Sequence, residues 1–185
     1  MRIAAGCSTR CWMQHSLLRA CARAFLLERR LTGWRRRRCG RALEVKLLSI
    51  QLVADAPAAD SLQFHTALPI PEGYLSDGMK LAVDIGGVTE TFTLDSSGRA
   101  RSDRGSVKLT AERNESMLAR VKLALSGELA AALSGENLSL DANVKNERRE
   151  ALVGVLFNGS VYRKMQPLRF TAKIGQGGRA ISLPE

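Results

Sequence analysis

The stretch "FTLDSSGRARSDRGSVKL", residues 92–109, sets Asp95 and Asp103 beside Arg99, Arg101 and Arg104. Two carboxylates suit a cation, and three guanidinium groups suit a phosphate or another anion. An EF-hand loop takes oxygen ligands at its positions 1, 3, 5 and 12. Counted from Asp95, those places hold Asp95, Ser97, Arg99 and Ser106, so the pattern fails at the arginine and at the last ligand. Arginines at close range also repel a cation. For an anion or nucleic acid, the arginines lack interleaved aromatics. The expectation is a turn in which Asp95 and Ser97 bond their own backbone and Gly98 takes a positive φ. A calcium ion between Asp95 and Asp103 is the alternative.

Other candidate chemistry is sparse. Residues 42–185 hold one histidine, His65, and no cysteine. A Ser-His-Asp triad would have to use His65, which lies in a strand-like run between Phe64 and Thr66, and no G-x-S-x-G elbow is present. Carboxylate pairs exist by count: Asp84 with Glu90, Glu112 with Glu115, Glu147 with Glu150. A glycosidase needs two carboxyls facing each other across a sugar. Such sites also stack sugars on aromatic rings, and residues 42–185 have no tryptophan and only Tyr74 and Tyr162 beside the phenylalanines. "GQGGRA" at 175–180 follows "FTAKI" with no helix after it. It therefore reads as a terminal turn rather than a phosphate cradle. No catalytic, cofactor-binding or metal-ligating residue is assigned.

Charge divides the chain. Residues 1–41 hold eleven arginines against one acid, Glu28, a net of +10, and residues 42–185 hold 17 basic and 17 acidic residues. The high pI is thus expected to belong to the first segment and not to a basic face of the body. Cys7, Cys11, Cys21, Cys39, Trp12 and Trp34 lie there too. The cysteines form no C-x-x-C, and His15 is the segment's lone histidine, so no zinc site is expected. Leu17, Leu18, Cys21 and Phe25 recur at helical spacing, which suits an amphipathic basic helix near 12–31. Such a helix would lie on an anionic membrane. The run Arg35–Arg38 would meet nucleic acid or serve as an import signal, and the whole start resembles an organelle transit peptide. Against these stands a disordered or non-native segment, read from upstream of the true start codon. The apolar stretch "SLLRACARAFLLERR" is broken by Arg19 and Arg23, so neither a membrane span nor a secretory signal is expected.

From residue 43 the texture is period-2. "LEVKLLSIQLVA", "SLQFHTAL" and "MKLAVDI" alternate as half-buried strands do. "SVKLTA", "MLARVKLAL" and "LRFTAKI" repeat the pattern. Gly86-Gly87 and Asn158-Gly159 sit between strand-like runs, where type I′ hairpin turns need positive φ twice. Pro69 and Pro71 mark a loop and exclude a central strand there. "SGELAAALSGENL" predicts a short helix, with Ser126 as N-cap, Gly135 as stop, and Leu129, Ala132 and Leu133 facing inward. The fold class expected is all-β: an antiparallel β-sandwich of roughly eight or nine strands with one short helix over 42–185. A basic extension over 1–41, disordered or helical, precedes it.

Three segments occur in order: "VDIGGVTETFTLDSSGRARSDRGSVKLT", "LALSGELAAALSGENL" and "VLFNGSVYRKMQPLRFTAKIGQGGRA". Together they resemble a β-sandwich repeat module of large secreted or surface-attached bacterial proteins, over about residues 43–182. The shared pattern is a glycine hairpin, F-x-L-[DN]-x-x-G-x-[AG], a short G-[DE]-[FL]-A-A-A-L helix and a closing [FY]-T-A-K-x-G-x-x-G strand. The family has no established catalytic residues, so none is carried over. The resemblance implies an extracellular or cell-surface location and a non-catalytic structural or adhesive role. Its expected partners are neighbouring β-modules, paired through bare edges at 43–54 and 167–174. The second expectation is a small β-domain docked to nucleic acid or anionic membrane by residues 1–41, and the third is a glycan-acting enzyme.

Overall fold

The computed structural model describes residues 41–111 and 117–184. The helix near 12–31, the four cysteines, the run Arg35–Arg38 and the pair Glu112–Glu115 lie outside the described residues. The two-residue β1 (Arg41–Ala42) straddles the expected boundary between the two segments. Then come β2 (Glu44–Leu52), β3 (Ser61–Pro69), β4 (Lys80–Ile85), β5 (Val88–Thr93), β6 (Arg99–Ser102), β7 (Gly105–Ala111) and β8 (Leu118–Ser126). The helix α1 (Ala130–Leu133) follows, and β9 (Val144–Phe157), β10 (Ser160–Lys173) and β11 (Gly177–Ser182) complete the body.

The body is all-β, with one short helix, as the period-2 texture predicts. One ladder runs β5-β4-β9-β10-β11-β2-β3-β8-β7-β6, and β1 adds a parallel bridge to β10. Every other pairing is antiparallel, and the sheet curls toward a barrel. Both predicted hairpins form. Gly86 and Gly87 take φ 58° and 85°, and Asn158 and Gly159 take 47° and 66°, the left-handed pair that matches strand twist.

Alternation places the core. Leu62, Phe64 and Leu68 of β3 are fully buried with Leu81 and Ile85 of β4, Val121 of β8 and Val153 of β9. Phe92, Phe157 and Phe170 fill the interior beside them. Each such side chain contributes on the order of 1.5–3 kcal/mol by leaving water. The sequence changes phase at Leu47–Leu48, and the structure turns that slip into a β-bulge between Val45 and Leu47.

Four expectations are corrected. There are more strands than eight or nine, because β6 and β11 form where polar and glycine-rich turns were expected. Gly177 and Gly178 make β11 possible: a Cβ on Gly177 would lie 2.2 Å from the Leu52 carbonyl oxygen, and one on Gly178 would lie 2.8 Å from Leu140. "VYRKM" and "LRFTAKI" fuse into the single β10, which carries Pro167 within it. Pro69 ends β3 but still pairs with Leu118. Residues 43–54 and 167–174 are not edges, since β2 lies between β11 and β3, and β10 lies between β9 and β11. The ladder ends are β5 and β6.

The helix is shorter and capped differently. Ser126 is the last residue of β8, and Leu129 holds the N-cap place with no side-chain bond of its own. Asp60 supplies the cap from the loop after β2: its Oδ2 accepts the Leu129 and Ala130 N–H groups at 3.0 and 3.1 Å. A 3₁₀ turn, Ser134–Glu136, continues the helix, and Asn137 at φ 61° stops it rather than Gly135. Leu129 and Leu133 are buried as expected, while Ala132 packs only partly buried.

Candidate functional site

The aspartates of residues 92–109 do not converge. Asp95 lies before β6, and Asp103 lies in the turn after it. A four-residue strand separates them by roughly 13 Å. Asp95 Oδ1 accepts the Ser97 N–H at 2.8 Å, the Ser97 hydroxyl at 2.7 Å and the Arg99 N–H at 2.9 Å. The Arg99 N–H, and after it the Ser97 hydroxyl, hold this carboxyl below the usual carboxylate range. The Asp95 N–H also donates to the Arg99 carbonyl at 2.8 Å. Asp95 therefore closes both backbone groups of Arg99 at the end of β6 and blunts a strand edge. Gly98 takes φ 71°, and its carbonyl accepts the Leu109 N–H at 2.7 Å. The turn expected from Asp95 to Gly98 forms with Asp95 bonding the backbone and Gly98 at positive φ, but the Ser97 hydroxyl bonds the Asp95 carboxylate rather than backbone. Among the described residues no group of three or more His, Cys, Asp or Glu side chains is placed to hold a metal ion.

Nor do the other carboxylates face each other. Asp84 pairs with Thr89 and Glu90 with Val83, so the two acids lie on opposite faces of the β4–β5 hairpin. Asp84 accepts the Gly87 N–H at 3.1 Å and belongs to the turn. Glu147 and Glu150 are three residues apart on β9, hence on opposite faces, and Glu147 pairs with Arg149 at 2.5 Å.

The arginines give a different result. Register across four strands brings His65 of β3 opposite Lys122 of β8, Lys122 opposite Lys108 of β7, and Lys108 opposite Arg99 of β6. The next row on the same outer face is Gln63, Ala124, Ser106 and Arg101. Strands lie about 4.8 Å apart, so the first row spans roughly 14 Å. Together these residues line an open depression of about 260 Å³. Lys108, Lys122, Arg99 and Arg101 are exposed, and none of the four makes an ion pair among the described residues. β3, β6, β7 and β8 carry no acidic residue. His65 is half-buried here. Burial, and after it the charges of Lys122 and Arg120, push its pKa down. The imidazole lies among cations, and no carboxylate among the described residues is bonded to it.

The formal neutrality of residues 42–185 thus hides one basic face, against the expectation that the body has none. His65, Lys108 and Lys122 stand at outward positions of expected strands, whereas Arg99 and Arg101 stand on β6, where a polar connection was expected. What sequence lacked was the strand order β3-β8-β7-β6, which alone puts them side by side. The arrangement sets positive charge beside a half-buried imidazole, an amide and a hydroxyl.

No family model matches the chain, and neither a curated protein nor a solved structure matches it.

Proposed function

We propose that residues 42–185 form a non-catalytic adhesive or structural module of a secreted or cell-surface protein. The observation that carries this is the exposed cationic face, held on four hydrogen-bonded strands that carry no acid. A rigid surface of clustered positive charge suits holding a partner, whereas acid–base chemistry needs groups of opposed proton affinity at one point. We read the sheet as a sandwich drawn toward a barrel rather than a closed barrel. The absence of a pairing between β5 and β6 supports that reading. The location rests on the resemblance to surface-attached β-modules. Docking to nucleic acid or anionic membrane through residues 1–41 is a separate proposal, and all of that segment but Arg41 lies outside the described residues. Incubation of the full chain with a polysaccharide panel should leave every member uncleaved. Release of reducing ends that disappears in Glu147→Gln would overturn the non-catalytic reading.

A further inference from the structure

We propose that the row His65–Lys122–Lys108–Arg99, with Arg101 beside it, binds a linear acidic polysaccharide bearing sulfate or carboxylate groups, laid across the strands. This rests on the module being a binding unit and names what it binds. Charge selects an anion: four exposed cations stand together with no acid on their strands, and Asp95, in the turn before β6, offsets Arg99 only in part. The openness of the depression selects a polymer over a small ion, since no buried polar side chain cages one phosphate. Spacing selects the direction. Cations repeat at the interstrand distance of about 4.8 Å across β8, β7 and β6, so a chain crossing the strands meets one cation per strand. Gln63 and Ser106, in the second row, add an amide and a hydroxyl that suit sugar hydroxyls.

The same surface argues against the other polyanions. The depression has no Phe, Tyr or Trp in its lining, and its one ring, His65, is half-buried, so it offers single-stranded bases no row of stacking platforms. Its outward apolar residue is the small Ala124, which offers a bilayer no anchor. Neutral sugars would need stacking as well. Acidic ones are held first by ion pairing.

The test uses the full chain and two triple variants of equal charge change. R101E/K108E/K122E reverses the face, and R163E/R169E/K173E reverses three exposed cations of β10. Binding of a heparin-derived oligosaccharide, a DNA duplex and phosphatidylserine vesicles is measured against salt concentration. The face triple should weaken oligosaccharide binding roughly tenfold or more and lower its salt slope by about three, while the β10 triple stays within about twofold. Equal losses in both triples would overturn the proposal, because residues 1–41 or overall charge would then be the binder. No loss in the face triple would overturn it too. So would a loss confined to DNA or to vesicles, which would make the occupant nucleic acid or membrane. Should the face triple melt early, R101Q/K108Q/K122Q carries the same comparison with a smaller expected loss. Cleavage of the oligosaccharide would sink the non-catalytic reading instead, whatever the variants bind.

Discussion

Asp60 and Asp95 each accept three hydrogen bonds, and they do opposite things with them. Asp60 is fully buried and joins distant segments: its Oδ1 accepts the Val53 N–H at 2.8 Å, and its Oδ2 takes the first amides of α1, about seventy residues on. The Gly127 N–H adds a fourth link at the Asp60 carbonyl, 3.1 Å away. Asp95 is exposed, its carboxylate reaches no farther than Arg99, and its carbonyl accepts the Ser76 hydroxyl at 2.8 Å. One carboxylate fastens the helix onto the sheet. The other shapes a single turn and closes a strand end. The number of bonds is therefore a poor guide to structural weight. What separates the two is how much desolvated backbone each leaves unpaired when removed.

Substitutions test that difference. Asp60→Ala orphans three buried or partly buried amides and should cost about 3 kcal/mol in a denaturant melt, with Asp60→Asn losing about half as much. A loss no larger than that of an exposed residue would refute the anchoring role. Gly98→Ala comes next. The residue has φ 71°, and a Cβ there would lie 2.4 Å from the Leu109 carbonyl, so about 2 kcal/mol or more is expected. Asp95→Ala should lower the melting temperature less than either. Its deficit should also depend on pH. Asp95 is held below the usual carboxylate range, so its contribution is full above about pH 4 and is lost as pH falls through the lower folded value. Melts at pH 7 and at pH 2 should show the variant's deficit shrinking. The smallest effect concerns His65. Its NMR titration midpoint should lie below the ordinary value of about 6.5, and Lys122→Gln should raise it. For this imidazole, depressed in the folded chain, stability is full above pH ~6.5 and declines as acid forces the charge on.

The same contrast explains what sequence could reveal. Asp95 was readable as a turn former because the partners of its carboxylate lie within four residues. Gly86-Gly87 and Asn158-Gly159 were readable for the same reason: a two-residue turn is specified by its own dihedrals. Asp60 gave no signal, because its partners at 53, 129 and 130 meet it only after folding. Ser126 stood in for it as the expected cap. The phase slip at Leu47–Leu48 was visible, but that it meant a bulge depended on β3 lying alongside. β11 was hidden by its glycines, whose small size answers to Leu52, Leu140 and Phe170 rather than to local turn preference. The basic row was hidden most deeply: its members are spread over residues 65–122, and their summed charge disappears in the average of the body.

The place of β2 between β11 and β3 has a consequence for how the chain is made. Residues 44–52 leave the ribosome early, yet one of their two neighbours is residues 177–182. The hairpins β6–β7 and β4–β5 can close as they emerge, because their partners are a few residues apart. β2 can pair with β3 at once, but its other side waits for nearly the whole of the body. Closure of a loop that long is slow relative to hairpin formation. Completion of the sheet is therefore a late event in synthesis. Until then β2 and β10 each present an open row of amides and carbonyls, the period in which a chaperone or a misplaced strand competes most effectively with β11.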